Sequence, residues 1–107
     1  SNAEVFREKF AIATGQNLTI ESPTIIGAQA ADELLDINGI KASFVLYRKG
    51  EGVYMSARSL GEVNVQVILE ALGGGGNSTT AGGQADNISV EEAKARLLEA
   101  IDRYFEN

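Results

Sequence analysis

The sequence predicts an α/β fold, a compact single domain in which a small mixed β-sheet is packed with about three helices. Three observations point there. Stretches alternating apolar and polar residues are interleaved with stretches of helical periodicity. Start and stop signals bracket the helical stretches. The chain is 107 residues long, the size of one domain, and shows no internal repeat or long linker.

Lys9 to Thr14 reads as a short strand with Phe10 and Ile12 on one face. A polar loop, GQNLTIES, leads to Ser22-Pro23, a helix cap followed by Pro at the first helical position. Ile26, Ala30, Ala31, Leu34 and Leu35 share one face of that helix, and Asn38-Gly39 ends it. A hairpin follows. Ile40, Ala42, Phe44 and Leu46 alternate on its first strand, Lys49-Gly50-Glu51-Gly52 supplies the turn, and Val53, Met55 and Ala57 alternate on the return. That alternation sends Tyr54, Ser56 and Arg58 to the opposite face.

Asn64 caps a second helix in which Val65, Ile68, Leu69 and Leu72 keep helical spacing, and Gly73 stops it. After a glycine-rich loop, QADNI is at best a short strand. Ser89 and Glu92 form a capping box for a third helix with Ala93, Leu97, Ala100, Ile101 and Tyr104 inward.

Composition excludes several chemistries. At 44% hydrophobic and 22% charged the chain is ordinary for a soluble globular protein. It has no Cys and no His, which removes disulfides, thiolate metal sites and the commonest general base. A net charge of −6 argues against a non-specific nucleic-acid coat. Between Ile37 and Gly61, however, Lys41, Arg48, Lys49 and Arg58 face only Glu51, so that segment suits a small anion. No apolar run approaches membrane-spanning length, and a cytoplasmic setting is the default expectation. Ser1-Asn2-Ala3 reads as an expression-tag remnant, leaving a domain over 4–107 that is expected to be a piece of a larger protein.

Half of the 12 glycines fall between Leu72 and Gly83, in LGGGGNSTTAGG. One glycine caps a helix; Gly74, Gly75 and Gly76 exceed that need. A run without Cβ atoms lets successive amides face one way and hold an anion. Asn77, Ser78, Thr79 and Thr80 add short donors, and phosphate is the natural occupant. The run matches neither the Walker pattern nor the dinucleotide fingerprint. Arg58, beside Ser59 at a strand end, is suited to gripping phosphate, the bland alternative being an ion pair with Glu62 or Glu70. Tyr47 and Tyr54 suit base stacking or cross-strand packing. The carboxylates show no spacing that demands a metal.

The segments AQAADELL, ASFVLYR, SARSLGEVNVQVILEALGGGGN and TAGGQ resemble the C-terminal DHH-associated domain, first subtype, of DHH-family phosphoesterases. Within that family the likeness is nearest to the membrane-anchored bacterial cyclic-di-AMP phosphodiesterases, and it covers nearly the whole chain. The resemblance implies a substrate-binding domain that closes over a separate DHH domain holding two manganese ions. The substrate implied is cyclic-di-AMP or a short linear dinucleotide, with no cofactor in this fragment itself. It also implies phosphate contacts at Arg58 and Ser59, in Ser56-Ala57-Arg58-Ser59, and along Gly74, Gly75, Gly76, Asn77, Thr80, Ala81 and Gly82.

The family pattern reads Gly-Gly-Gly-His, then Ala-Ala-Gly. Asn77 stands at the His position and Thr80 at the first Ala. Asn donates a hydrogen bond without a charge, a loss of roughly 1 kcal/mol. Weak binding, a different substrate and a degenerate site all stay open.

The expected function is thus the phosphate- and nucleotide-binding part of a manganese-dependent phosphodiesterase, inactive alone, in a cytoplasmic domain of a parent that can be membrane-anchored. Its expected partners are the dinucleotide and the parent's DHH domain, with a homodimer as a further candidate. The alternatives are a nucleic-acid-binding appendage, as related domains form in alanyl-tRNA synthetases, and a purely structural or oligomerisation domain.

Overall fold

The computed structural model describes residues 2–16 and 23–106. Its elements run β1 (Asn2–Phe6), β2 (Phe10–Gly15), α1 (Pro23–Leu35), β3 (Ala42–Lys49), β4 (Gly52–Ser59), α2 (Val65–Glu70), β5 (Gly75–Gly76), β6 (Thr80–Asp86) and α3 (Val90–Tyr104). The strands form one mixed sheet in the order β1-β2-β3-β4-β6-β5. β2 and β3 are parallel, as a strand–helix–strand crossover through α1 requires, and every other pair is antiparallel.

The alternation seen in the sequence divides the sheet into two faces. One carries Phe10, Ile12, Phe44, Leu46, Val53, Met55 and Ala57 and packs on α2 and α3 through Val65, Ile68, Leu69, Leu97 and Ile101. The other carries Ala13, Val45 and Tyr47 and packs on Ala31 of α1, with Ala30, Leu34 and Tyr54 around them. The result is three layers with the larger core on the α2/α3 side. α1 sits so close to the sheet that a Cβ on Gly27 would lie 2.6 Å from Tyr47 Cε1 and 2.8 Å from Ser56 Oγ.

Most of the expected elements are present. The β3–β4 turn is Gly50-Glu51, with Gly50 at φ 64°. Asn64 accepts from the Val67 amide at 3.3 Å, and Ser89 accepts from the Glu92 amide at 3.0 Å. Glu92 does not complete the expected capping box with its side chain; its carboxylate instead pairs with Arg96 at 2.6 Å. The expected Ser22 cap and most of the loop before it lie outside the described residues.

Two elements differ from expectation. β1 precedes the first expected strand, takes in Asn2 and Ala3, and pairs with β2 from Phe6↔Phe10 to Asn2↔Thr14. Its turn places Arg7 and Glu8 at φ 52° and 69°, where side chains other than Gly are uncommon, so no turn residue announces it. Arg7 is tied to Asp102 of α3 at 2.7 Å and lies 4.5 Å above the Phe105 ring.

The glycine-rich stretch is the second difference, because it is a hairpin and not a loop. β5 is its short outer strand and β6 begins at Thr80, ahead of the expected QADNI strand. The glycines there bring backbone against backbone. A Cβ on Gly83 would lie 2.7 Å from Gly74 Cα, one on Gly74 would lie 2.7 Å from the Gly82 oxygen, and one on Gly76 would lie 2.3 Å from the Thr80 oxygen. Gly75 alone of the four consecutive glycines has neither a positive φ nor any atom within 4 Å of a built Cβ.

These contacts separate the glycines by substitution. Gly83→Ala forces the β5 and β6 backbones apart and is expected to destabilise the chain by about 1–3 kcal/mol. Gly75→Ala is expected to stay within about 0.5 kcal/mol of the parent chain. Urea denaturation followed by circular dichroism distinguishes the two.

Candidate functional site

α1 covers β3 and β4 on its side of the sheet. Beside it, β4, β6 and β5 form a shelf whose side chains follow from the register. Arg58 faces Thr80 across β4–β6; Ser56 faces Gly82, which in turn faces Gly75; and Tyr54 faces Gln84. These residues, with Tyr47, Gly76, Ala81 and Ala28 of α1, line a cavity of about 520 Å³.

Among the described residues Arg58 is the one cation lining this cavity, and its head is held from two directions. Nε lies 3.2 Å from Asp32 Oδ1 of α1, and Nη1 donates to the Ala57 oxygen at 2.8 Å. The expected alternative partners were Glu62 and Glu70. Glu62 instead lies 3.8 Å from Lys41, and Glu70 accepts from Gln66 at 3.3 Å. The Arg58 side chain is only 18% exposed, so it reaches the cavity as a fixed group. Nη2 makes no hydrogen bond among the described residues, which leaves a rigid, charged donor for an anion.

Six of the nine sequence-predicted site residues therefore meet at one cavity: Arg58, Gly75, Gly76, Thr80, Ala81 and Gly82. The other three hold its surroundings in place. Ser59 is 7% exposed; its hydroxyl donates to the Ser78 oxygen at 3.1 Å and accepts from the Gly61 amide at 3.3 Å. The Gly74 amide donates to the Leu69 oxygen at 2.9 Å, closing the end of α2. Asn77 closes the hairpin turn: its Oδ1 accepts from the Thr79 amide at 3.0 Å and the Thr80 amide at 2.9 Å, while its own amide donates to the Thr80 oxygen at 2.7 Å.

The concave row of amides expected from Gly74 onward is therefore corrected. The amides of Gly74, Asn77, Thr79 and Thr80 are already bonded within the protein, because the run pairs as a hairpin.

Asp32 and Gln84 are site residues that the sequence does not reveal. Each enters through a contact between elements far apart in the chain. Tyr47 and Tyr54 do pack across the strands, with ring centroids 5.9 Å apart and planes at 18°. Burial of the Tyr47 phenol, then the neighbouring Tyr54, push its pKa from 10.0 up to about 12, against an opposing backbone hydrogen bond from Gly27. Tyr47 is therefore neutral across the physiological range. No group of three or more Asp, Glu, His or Cys that could hold a metal exists among the described residues, so these residues do not fit a manganese site. No helix among them is long and apolar enough to cross a membrane.

The DHHA1 domain family model matches residues 14–107. The chain belongs to the DHHA1 domain family. This DHHA1 domain is 49% identical over 105 residues to the cyclic-di-AMP phosphodiesterase GdpP of Geobacillus thermodenitrificans, covering 97% of the chain and 16% of that protein. It is 46% identical over 103 residues to the cyclic-di-AMP phosphodiesterase PdeA of Listeria monocytogenes, covering 95% and 16%. The domain thus spans about a sixth of these relatives. Its fold is shared with an exopolyphosphatase-related protein from Bacteroides fragilis, at a TM-score of 0.78 and 21% identity over 96% of the chain and 32% of the other.

The Tyr47 environment has a consequence for stability. The folded domain keeps a phenolic proton that the unfolded chain releases near pH 10. This contribution is complete below pH 10 and is lost as pH rises through about 12. Tyr47→Phe is expected to flatten that part of the stability profile, as read by urea denaturation between pH 9 and pH 12.

Proposed function

We propose that this DHHA1 domain is the substrate-binding part of a DHH-family phosphodiesterase and that its cavity receives a phosphate of cyclic-di-AMP or a short linear dinucleotide. The observation that carries this reading is Gly75. Its neighbours on both sides are glycine because backbones touch or a helix must end, whereas a Cβ on Gly75 would meet nothing of the protein. It lines the same cavity as Arg58. A bare position that the fold does not require, beside a fixed guanidinium, suits close approach by a phosphoryl group.

The identity to two cyclic-di-AMP phosphodiesterases supports that substrate class. The reading assigns bond cleavage to the parent's DHH domain with manganese, and binding and orientation to this domain. Arg58 neutralises phosphate through Nη2 while Asp32 and the Ala57 oxygen hold its other edges. The phosphate then gains a charged hydrogen bond without breaking the ion pair.

In the full-length parent, Arg58→Ala is expected to weaken cyclic-di-AMP binding by about 1.5–3 kcal/mol, the range for a charged hydrogen bond. Isothermal titration measures it, and unchanged affinity would remove Arg58 from the site. The domain alone, given manganese and cyclic-di-AMP, is expected to produce no linear dinucleotide by chromatography. Turnover that survives a chelator contradicts the assigned division of labour.

A further inference from the structure

The cavity has two chemically different ends. Arg58 and Thr80 stand at one, Tyr54 and Gln84 at the other, four residues along β4 and β6 from the first. A strand rises about 3.3 Å per residue, so the ends are separated by about 13 Å. Between them the row is Ser56, Gly82 and Gly75, so on β6 and β5 the floor has no side chains. A charged end, a bare middle and an aromatic end in a line match phosphate, ribose and base in order.

We propose that Tyr54 and Gln84 form a base-recognition end of this cavity, selective for a purine that carries an amino group. The inference rests on the reading of the cavity as a dinucleotide site. Tyr54 is a rigid platform. One ring face lies against Tyr47, which is 2% exposed and wedged under α1 at Gly27. The ring is only partly buried, and Tyr54 lines the cavity together with Tyr47. An aromatic surface fixed in this way stacks a base without losing side-chain freedom on binding.

Gln84 supplies direction. Its Nε2 donates to Asp86 Oδ1 at 3.0 Å. Only the amide nitrogen can bond a carboxylate, so the side chain is oriented, and Oε1 is left as an acceptor without a partner among the described residues. An acceptor beside a stacking ring selects for an exocyclic amino group. Adenine presents one at C6, whereas hypoxanthine presents a carbonyl there, which Oε1 repels.

The test uses the full-length parent and titrates three probes: ribose 5-phosphate, the linear adenine dinucleotide and the matching hypoxanthine dinucleotide. The native protein is expected to prefer the adenine form by several-fold. Tyr54→Leu is expected to weaken the adenine dinucleotide by about fivefold or more, the lower end of base stacking. Tyr54→Phe retains the ring and is expected to restore most of it. Gln84→Leu, at an exposed position, is expected to abolish the preference for adenine while leaving ribose 5-phosphate unchanged.

If Tyr54→Leu does not fold by circular dichroism, the Gln84→Leu preference decides the matter. Unchanged base preference in Gln84→Leu, or equal binding of both dinucleotides by the native protein, overturns the base-recognition end. In that case loss of binding in Arg58→Ala still upholds the phosphate site. Absence of dinucleotide binding by the native protein overturns both.

Discussion

The backbone contact between Gly74 and the Gly82-Gly83 pair governs the rest of this half of the molecule. Gly74 leaves the end of α2 with its amide on the Leu69 oxygen and passes against β6 at distances no side chain permits. This contact lets a helix end turn directly into an edge strand. It sets β5 against β6, whose own pairing with β4 brings Thr80, Gly82 and Gln84 beside Arg58, Ser56 and Tyr54. Without it, the two halves of the shelf would not share a floor. Glycine's cost in chain entropy, about 0.5–1 kcal/mol per position relative to Ala, is offset here by a ladder that would otherwise not close.

The two faces of the sheet divide the apolar core from the polar groups. Nearly all large apolar side chains gather on the α2/α3 side, where Phe10, Phe44, Leu46 and Leu97 are at most 1% exposed. The α1 side has a much smaller apolar cluster and carries the polar groups, among them Ser43, Ser56 and Arg58. Ser43 is buried and donates to the Ala31 oxygen at 2.6 Å, so α1 is fixed by a directional bond as well as by packing. A helix held in this way can present Asp32 to Arg58 at one position. The pair itself adds little stability: Asp32 is 66% exposed, and exposed ion pairs contribute about 0–1 kcal/mol. Its effect is geometric, since it decides which edge of the guanidinium faces the cavity.

Much of this was legible in the sequence, and the losses have physical causes. The β3–β4 hairpin, α2 and α3 announce themselves through alternation, helical spacing and the Asn64 and Ser89 caps. Arg58 was legible because strand alternation placed it on the polar face. β1 was not, since Arg7 and Glu8 adopt positive φ with none of the residues that ordinarily mark such a turn. The β5–β6 hairpin was hidden for the opposite reason: six glycines carry no pattern, and the pairing that orders them is not local. Asp32 and Gln84 depend on α1 docking and on β4–β6 pairing, which no local spacing encodes. Asn77 was legible as a polar group in the glycine run, yet its carbonyl serves the turn.

That role of Asn77 bears on how an anion is held. An amide cradle needs successive N–H groups free and convergent, and here those of Gly74, Asn77, Thr79 and Thr80 are bonded within the protein. Positive charge must then come chiefly from a side chain. Arg58 lies in a chain of net charge −6, so a dianionic ligand approaches against a weakly repulsive field that salt screens over about 8–10 Å. Inside the cavity the balance reverses, because Arg58 is mostly shielded from water and in direct reach, while most of the carboxylates are solvated. Short-range contact therefore outweighs long-range steering at this site, and a compact anion suits it better than a long polyanion captured from solution.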